Sequence, residues 1–114
     1  MKKQFNLIMD TKDYFLIKNH LVLLKQRGLF EYDSFMKKFY KAFVIDAEIK
    51  LDRKNSFNGA TICFELENNN DLFMAINMFC DQQIIENKRE AALTAALYDL
   101  KLYMIQYIDN YMGH

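Results

Sequence analysis

The sequence predicts an α+β fold of one domain, residues 1–114. It should be a three-stranded antiparallel sheet with four helices packed mainly on one face, in the order β-α-α-β-β-α-α. Three observations lead there. The 114 residues are 52% hydrophobic and 26% charged, enough apolar surface for one core and too short a chain for several. Two runs in the middle of the chain alternate apolar and polar with period two, and a shorter run near the start does the same. Elsewhere apolar residues recur at helical spacing, with no proline and only three glycines to interrupt them.

Taken in order, Phe5, Leu7 and Met9 alternate with Gln4, Asn6 and Asp10, as in a short half-buried strand. Asp10 or Thr11 then caps a helix running to about Arg27, with Gly28 as its left-handed stop and Leu29-Phe30 packing back. Asp33-Ser34 opens a shorter helix. Phe35, Met36, Phe39, Tyr40 and Phe43 occupy one side of it, and Lys37, Lys38 and Lys41 the other.

A strand follows over Val44–Asp52, with Ile45, Ala47, Ile49 and Leu51 inward. Its partner, Ala60–Glu67, turns Ala60, Ile62, Phe64 and Leu66 inward. Asn58-Gly59 suggests a two-residue turn, but that turn sets Phe64 opposite Arg53 and Ile62 opposite Asn55. Pairing Leu51 with Ala60 or Ile62 keeps the apolar residues on one face, so a longer loop over residues 53–59 is expected. Asn70 or Asp71 caps the third helix, which reaches about Ile85. Asn87-Lys88-Arg89-Glu90 has capping-box spacing and should open a last helix to about Met112, ~36 Å long at ~1.5 Å per residue.

Fifteen basic and fifteen acidic side chains cancel, which excludes an acidic nucleic-acid mimic and a highly basic packaging protein. The balance hides an asymmetry: residues 1–57 carry +5 and residues 58–114 carry −5. Cys63 and Cys80 are too few for a disulfide framework, and no apolar run approaches the ~20 residues of a membrane span. A cytoplasmic protein without membrane contact is expected.

Catalytic signatures are sparse. His20 lies within a helix and suits a rim or core role, and His114 is the last residue. Ser34 and Ser56 lie in no nucleophile motif, and phosphate-cradling glycine loops are missing. Cys63 falls on the polar face of its strand with no histidine beside it in sequence. Glu65 with Glu67, and Asp46 with Glu48, are ordinary outward strand positions. The expectation is therefore a protein that is not an enzyme, with no catalytic residues, no metal, no cofactor and no small-molecule substrate.

Two surfaces remain. In the last helix Leu93, Leu97, Leu100, Met104, Tyr107 and Tyr111 form an inward seam, widened by Ala92, Ala96, Tyr103 and Ile108. Tyr98, Leu102 and Ile105 form a second apolar stripe on its far side. The third helix commits Leu72, Phe73, Ile76, Phe79 and Cys80 to the core and leaves Met74, Met78 and Ile85 outward. A helix apolar on two sides is either sandwiched or an interface, and methionines suit adaptable contacts. This pattern points to a small protein-binding module, an inhibitor or accessory factor of a bacterial or phage system. Its partner is another protein or its own copy in a homodimer, held on Met74, Met78, Ile85, Tyr98, Leu102 and Ile105. The alternative is a nucleic-acid-associated protein that lays Lys37, Lys38, Lys41, Lys50, Arg53 and Lys54 along phosphates.

Overall fold

The computed structural model describes residues 1–51 and 59–109. It contains β1 (Lys2–Asp10), α1 (Thr11–Gln26), α2 (Ser34–Tyr40), a π-helical turn (Lys41–Ile45), β2 (Glu48–Leu51), β3 (Gly59–Glu67), α3 (Asn70–Glu86) and α4 (Ala91–Ile105). The strands form one antiparallel sheet in the order β1-β3-β2, so the last strand in sequence is central. This is the α+β arrangement read from the sequence.

Register follows the apolar residues. Phe5 lies opposite Phe64, Leu7 opposite Ile62, and on the other flank Ile49 faces Ile62 and Leu51 faces Ala60. One face of the sheet is thus buried under the helices, while Gln4, Asn6, Glu65, Glu67 and Glu48 face solvent. Leu51 does pair with Ala60, as expected for the longer loop; most of that loop, with Arg53, Lys54 and Asn58, lies outside the described residues.

Helix boundaries depend on short polar side chains. Asp10 caps α1 by accepting the Lys12 N–H at 2.8 Å, and Asp33 caps α2 by accepting the Met36 N–H at 3.0 Å. Gly28 ends α1 at φ +79°, a conformation that costs a side-chain-bearing residue strain. Phe30 packs back into the core as expected, but Leu29 stays exposed.

The strand expected from Val44 starts only at Glu48. Instead, α2 widens into the π-helical turn, closed by the Asp46 N–H donating to the Lys41 carbonyl at 2.8 Å. This wider turn keeps Phe43 inside, stacked on Phe39 with ring centroids 5.1 Å apart and edge-on to Phe64 at 5.3 Å. The Tyr14 hydroxyl donates to the Phe43 carbonyl at 2.8 Å. Ile45, expected inward, is consequently exposed.

Three further boundaries differ from expectation. Asn69, not Asn70 or Asp71, caps α3, its Oδ1 accepting the Asp71 and Leu72 N–H groups at 2.9 and 3.4 Å. Asn87 closes α3 rather than boxing α4: its N–H and Nδ2 both donate to the Gln83 carbonyl, at 3.0 and 2.9 Å. The helix α4 opens after Glu90 without a side-chain cap. It then ends at Ile105, well short of Met112, because the chain tightens into turns from Tyr107 to Met104 and from Ile108 to Ile105. The Asp109 N–H next donates to Asn70 Oδ1 at 2.8 Å, drawing the chain back against the start of α3.

Packed between α1 and α3 and touching β1, α4 fills the centre of the helical layer. Leu93, Ala96, Leu97, Leu100 and Met104 are buried, whereas Ala92, expected to widen this seam, is exposed.

Candidate functional site

The site is built from the outward sides of α3 and α4. Two contacts fix how these antiparallel helices align. Asp81 and Lys101 pair at 2.6 Å across the seam, and Asn70 holds the chain beyond α4 at Asp109. Ile85 therefore lies toward the Tyr98 end of α4, and Met74 and Met78 toward the Ile105 end. Met74, Met78, Ile85, Tyr98 and Leu102 are between 42% and 71% exposed, while Ile105 is half-buried against the core.

These apolar groups surround a charged centre. Lys101 is mostly covered, reaches Asp81, and places its ammonium 6.0 Å from the centroid of the Tyr98 ring. The Asn70 amide lies 3.6 Å from the Met74 sulfur. The helices leave this side open because the layer has no further element there: α4 is bounded by α1, α3 and the sheet, and its remaining side faces solvent.

The basic residues are placed differently. Lys38 pairs with Glu67 at 2.7 Å, and Lys41 with Asp46 at 2.6 Å. Lys25 caps the Tyr40 ring at 4.7 Å. The Lys38 hydrogen bond and charge hold the Glu67 carboxyl below the usual glutamate range. Lys37 is exposed, Lys50 points from the solvent face of the sheet, and Arg53 and Lys54 lie outside the described residues. Acidic groups of both chain halves thus neutralise part of the lysine row, and Met36, Phe39 and Phe43 face the core rather than a nucleic acid.

Elsewhere the titratable groups serve the fold. His20 Nε2 donates to Gln83 Oε1 at 2.8 Å, that oxygen also accepts from Asn87 Nδ2 at 3.2 Å, and Gln83 Nε2 donates to Glu86 at 3.3 Å. Burial pushes the Cys80 thiol up to about 12. Burial, reinforced by Asp10 and Asp99, raises the Asp13 carboxyl. Loss of solvent and the hydrogen bond to Tyr107 push the Tyr103 phenol up to about 12. Cys63 lies half-buried on the outer sheet face, its sulfur 3.9 Å from the Thr61 carbonyl. Beside it, Gln4, Lys38, Glu48 and Glu65 help line a cleft of about 510 Å³. Among the described residues there is no group of three or more histidine, cysteine or carboxylate side chains able to hold a metal, and no helix long and apolar enough to cross a membrane.

Sequence reasoning missed a groove of about 770 Å³ beside α3, where Leu29 and Phe30 of the turn between α1 and α2, with Met36 of α2, line one side and Met78, Phe79 and Ile85 of α3 the other. Its one sequence signal was Leu29, an apolar residue next to a helix-stopping glycine. No protein-family model, curated protein or solved structure matches the chain.

Proposed function

We propose that this chain is a non-catalytic binding module that holds another protein, or a second copy of itself, on the outward face of α3 and α4. The observation that carries this reading is the row of five exposed large apolar side chains on two adjoining helices: Met74, Met78, Ile85, Tyr98 and Leu102. Such clustering differs from isolated surface hydrophobes, which are common and need no explanation. Met74 and Met78 give the surface a contact layer that adapts its shape, and Tyr98 adds a rigid aromatic anchor. An inhibitor or accessory factor works by this kind of occupancy.

Leu102→Asp is the direct test, because Leu102 is near the middle of the α4 stripe and about half in solvent, so the fold tolerates a carboxylate there. Sedimentation of the purified chain, and capture of native-host proteins by the tagged chain, are compared with the parent. The expected result is a folded variant that loses either its dimeric mass or a protein retained by the parent. A folded variant with the same mass and the same retained proteins refutes the assignment of this face.

A further inference from the structure

The groove beside α3 continues this face toward α2 and shares Met78 and Ile85 with it. Buried Phe30, Met36 and Phe79 and exposed Leu29, Met78 and Ile85 form an apolar trough of about 770 Å³. The charged groups lining it are all carboxylates: Asp33, Asp81 and Glu86, with no lysine or arginine among the described lining residues. Among the described residues, only Asp81 of these three forms an ion pair, with Lys101 at 2.6 Å. Asp33 accepts the Met36 N–H and Glu86 accepts the side-chain amides of Gln82 and Gln83, contacts that satisfy hydrogen bonds without cancelling charge. An apolar floor with an uncompensated negative rim selects a ligand that is apolar on one side and cationic along its edges.

From the groove geometry we infer that the partner enters as an amphipathic helix whose apolar stripe is flanked by lysine or arginine. The α3 wall runs from Ala75 to Glu86, long enough at ~1.5 Å per residue to lie along about three turns of such a helix. This inference rests on the binding-module reading and adds the chemistry of the partner to it.

The probe is a fluorescein-labelled 14-residue peptide of leucine and lysine at amphipathic helical spacing, titrated with the intact chain by fluorescence anisotropy. A peptide of the same composition in scrambled order, and one with glutamate for lysine, are the controls. The Leu/Lys helix should bind at least tenfold more tightly than either control, with affinity falling as salt rises. Asp33→Asn with Glu86→Gln removes both free charges while asparagine keeps the α2 cap, and should weaken binding about five- to tenfold at low salt. Met78→Ser with Ile85→Ser should weaken it by about tenfold or more. Equal binding of the scrambled or acidic peptide, or indifference to both double variants, overturns the inference. If the peptide results fail while Leu102→Asp still costs the chain its dimer or partner, only the helix chemistry is wrong. Failure of both removes the binding-module reading as well.

Discussion

Replacing Tyr14 by Phe removes one oxygen from the interior and nothing else. Tyr14 is 1% exposed, and its hydroxyl donates at 2.8 Å to the carbonyl of Phe43, which is itself fully buried. The π-helical turn depends on that donor for a carbonyl that solvent does not reach. A typical hydrogen bond contributes about 1 kcal/mol net, but a buried acceptor left without a partner costs about 1–3 kcal/mol. The expected loss is therefore about 1–2 kcal/mol, which lowers Tm by about 4–8 °C in a chain of this length. Tyr103→Phe is the matched control. Its hydroxyl accepts the Asn6 N–H at 2.8 Å and the Tyr107 hydroxyl at 3.4 Å at the half-exposed outer edge of β1, where water can take over the Asn6 contact, so a smaller loss of about 0.5–1 kcal/mol is expected. Urea unfolding of both variants, followed by far-UV circular dichroism, measures the difference. Equal destabilisation of the two, or none in Tyr14→Phe, refutes the claim that burial at the π-turn sets the cost.

Two further outcomes follow from buried groups. Asn77 is 8% exposed and its Oδ1 has no hydrogen-bond partner among the described residues, so Asn77→Leu should raise stability by about 1–2 kcal/mol, read as a higher midpoint in urea; a lower midpoint would show that the amide is partnered in solution. At pH 8 only Cys63 should react with a colorimetric disulfide reagent, since Cys80 is fully buried and its thiol is pushed up to about 12. Two thiols should appear after denaturation, and rapid reaction of both in the folded chain contradicts the core assignment of Cys80.

Period and register were legible because they depend on local alternation. The inward faces of β1 and β3, the caps Asp10 and Asp33 and the stop at Gly28 all follow from residues within a few positions, whereas Leu51 of β2, expected inward, is 54% exposed. The start of β2 was not legible, since Phe43, Val44 and Ile45 satisfy helical and extended patterns equally. A contact from Tyr14, distant in sequence, decides between them. The α3 cap falls among three consecutive asparagines that the sequence cannot rank. Asn69 takes the role because β3 runs to Glu67 and the Asn68 N–H is used by the Met1 carbonyl at 2.9 Å. Similarly, α4 could be read as long because nothing in 106–112 breaks a helix, whereas Asn70 sets where the chain turns. The exposed stripes of α3 and α4 were visible as second apolar faces. The groove was not, because Leu29 and Met36 meet Met78 and Ile85 only through tertiary packing.

The energetics of the exposed face explain why the groove matters to it. A fully buried Leu, Ile or Met contributes about 1.5–3 kcal/mol, and the five exposed residues are roughly half in water, so covering them offers about 4–8 kcal/mol. Association costs about 4–15 kcal/mol in lost freedom of motion before ordering of side chains is counted. The face alone therefore sits near the break-even point and supports at best a weak complex. A partner that also fills the trough between Phe30, Met36 and Phe79 gains apolar area that a flat contact cannot reach, and the charges of Asp33 and Glu86 speed its approach and set its orientation. The shared residues Met78 and Ile85 join the two surfaces, so one continuous contact can span α4, α3 and the turn before α2. Affinity then comes from the area of both parts, while selectivity comes from the acidic rim of one.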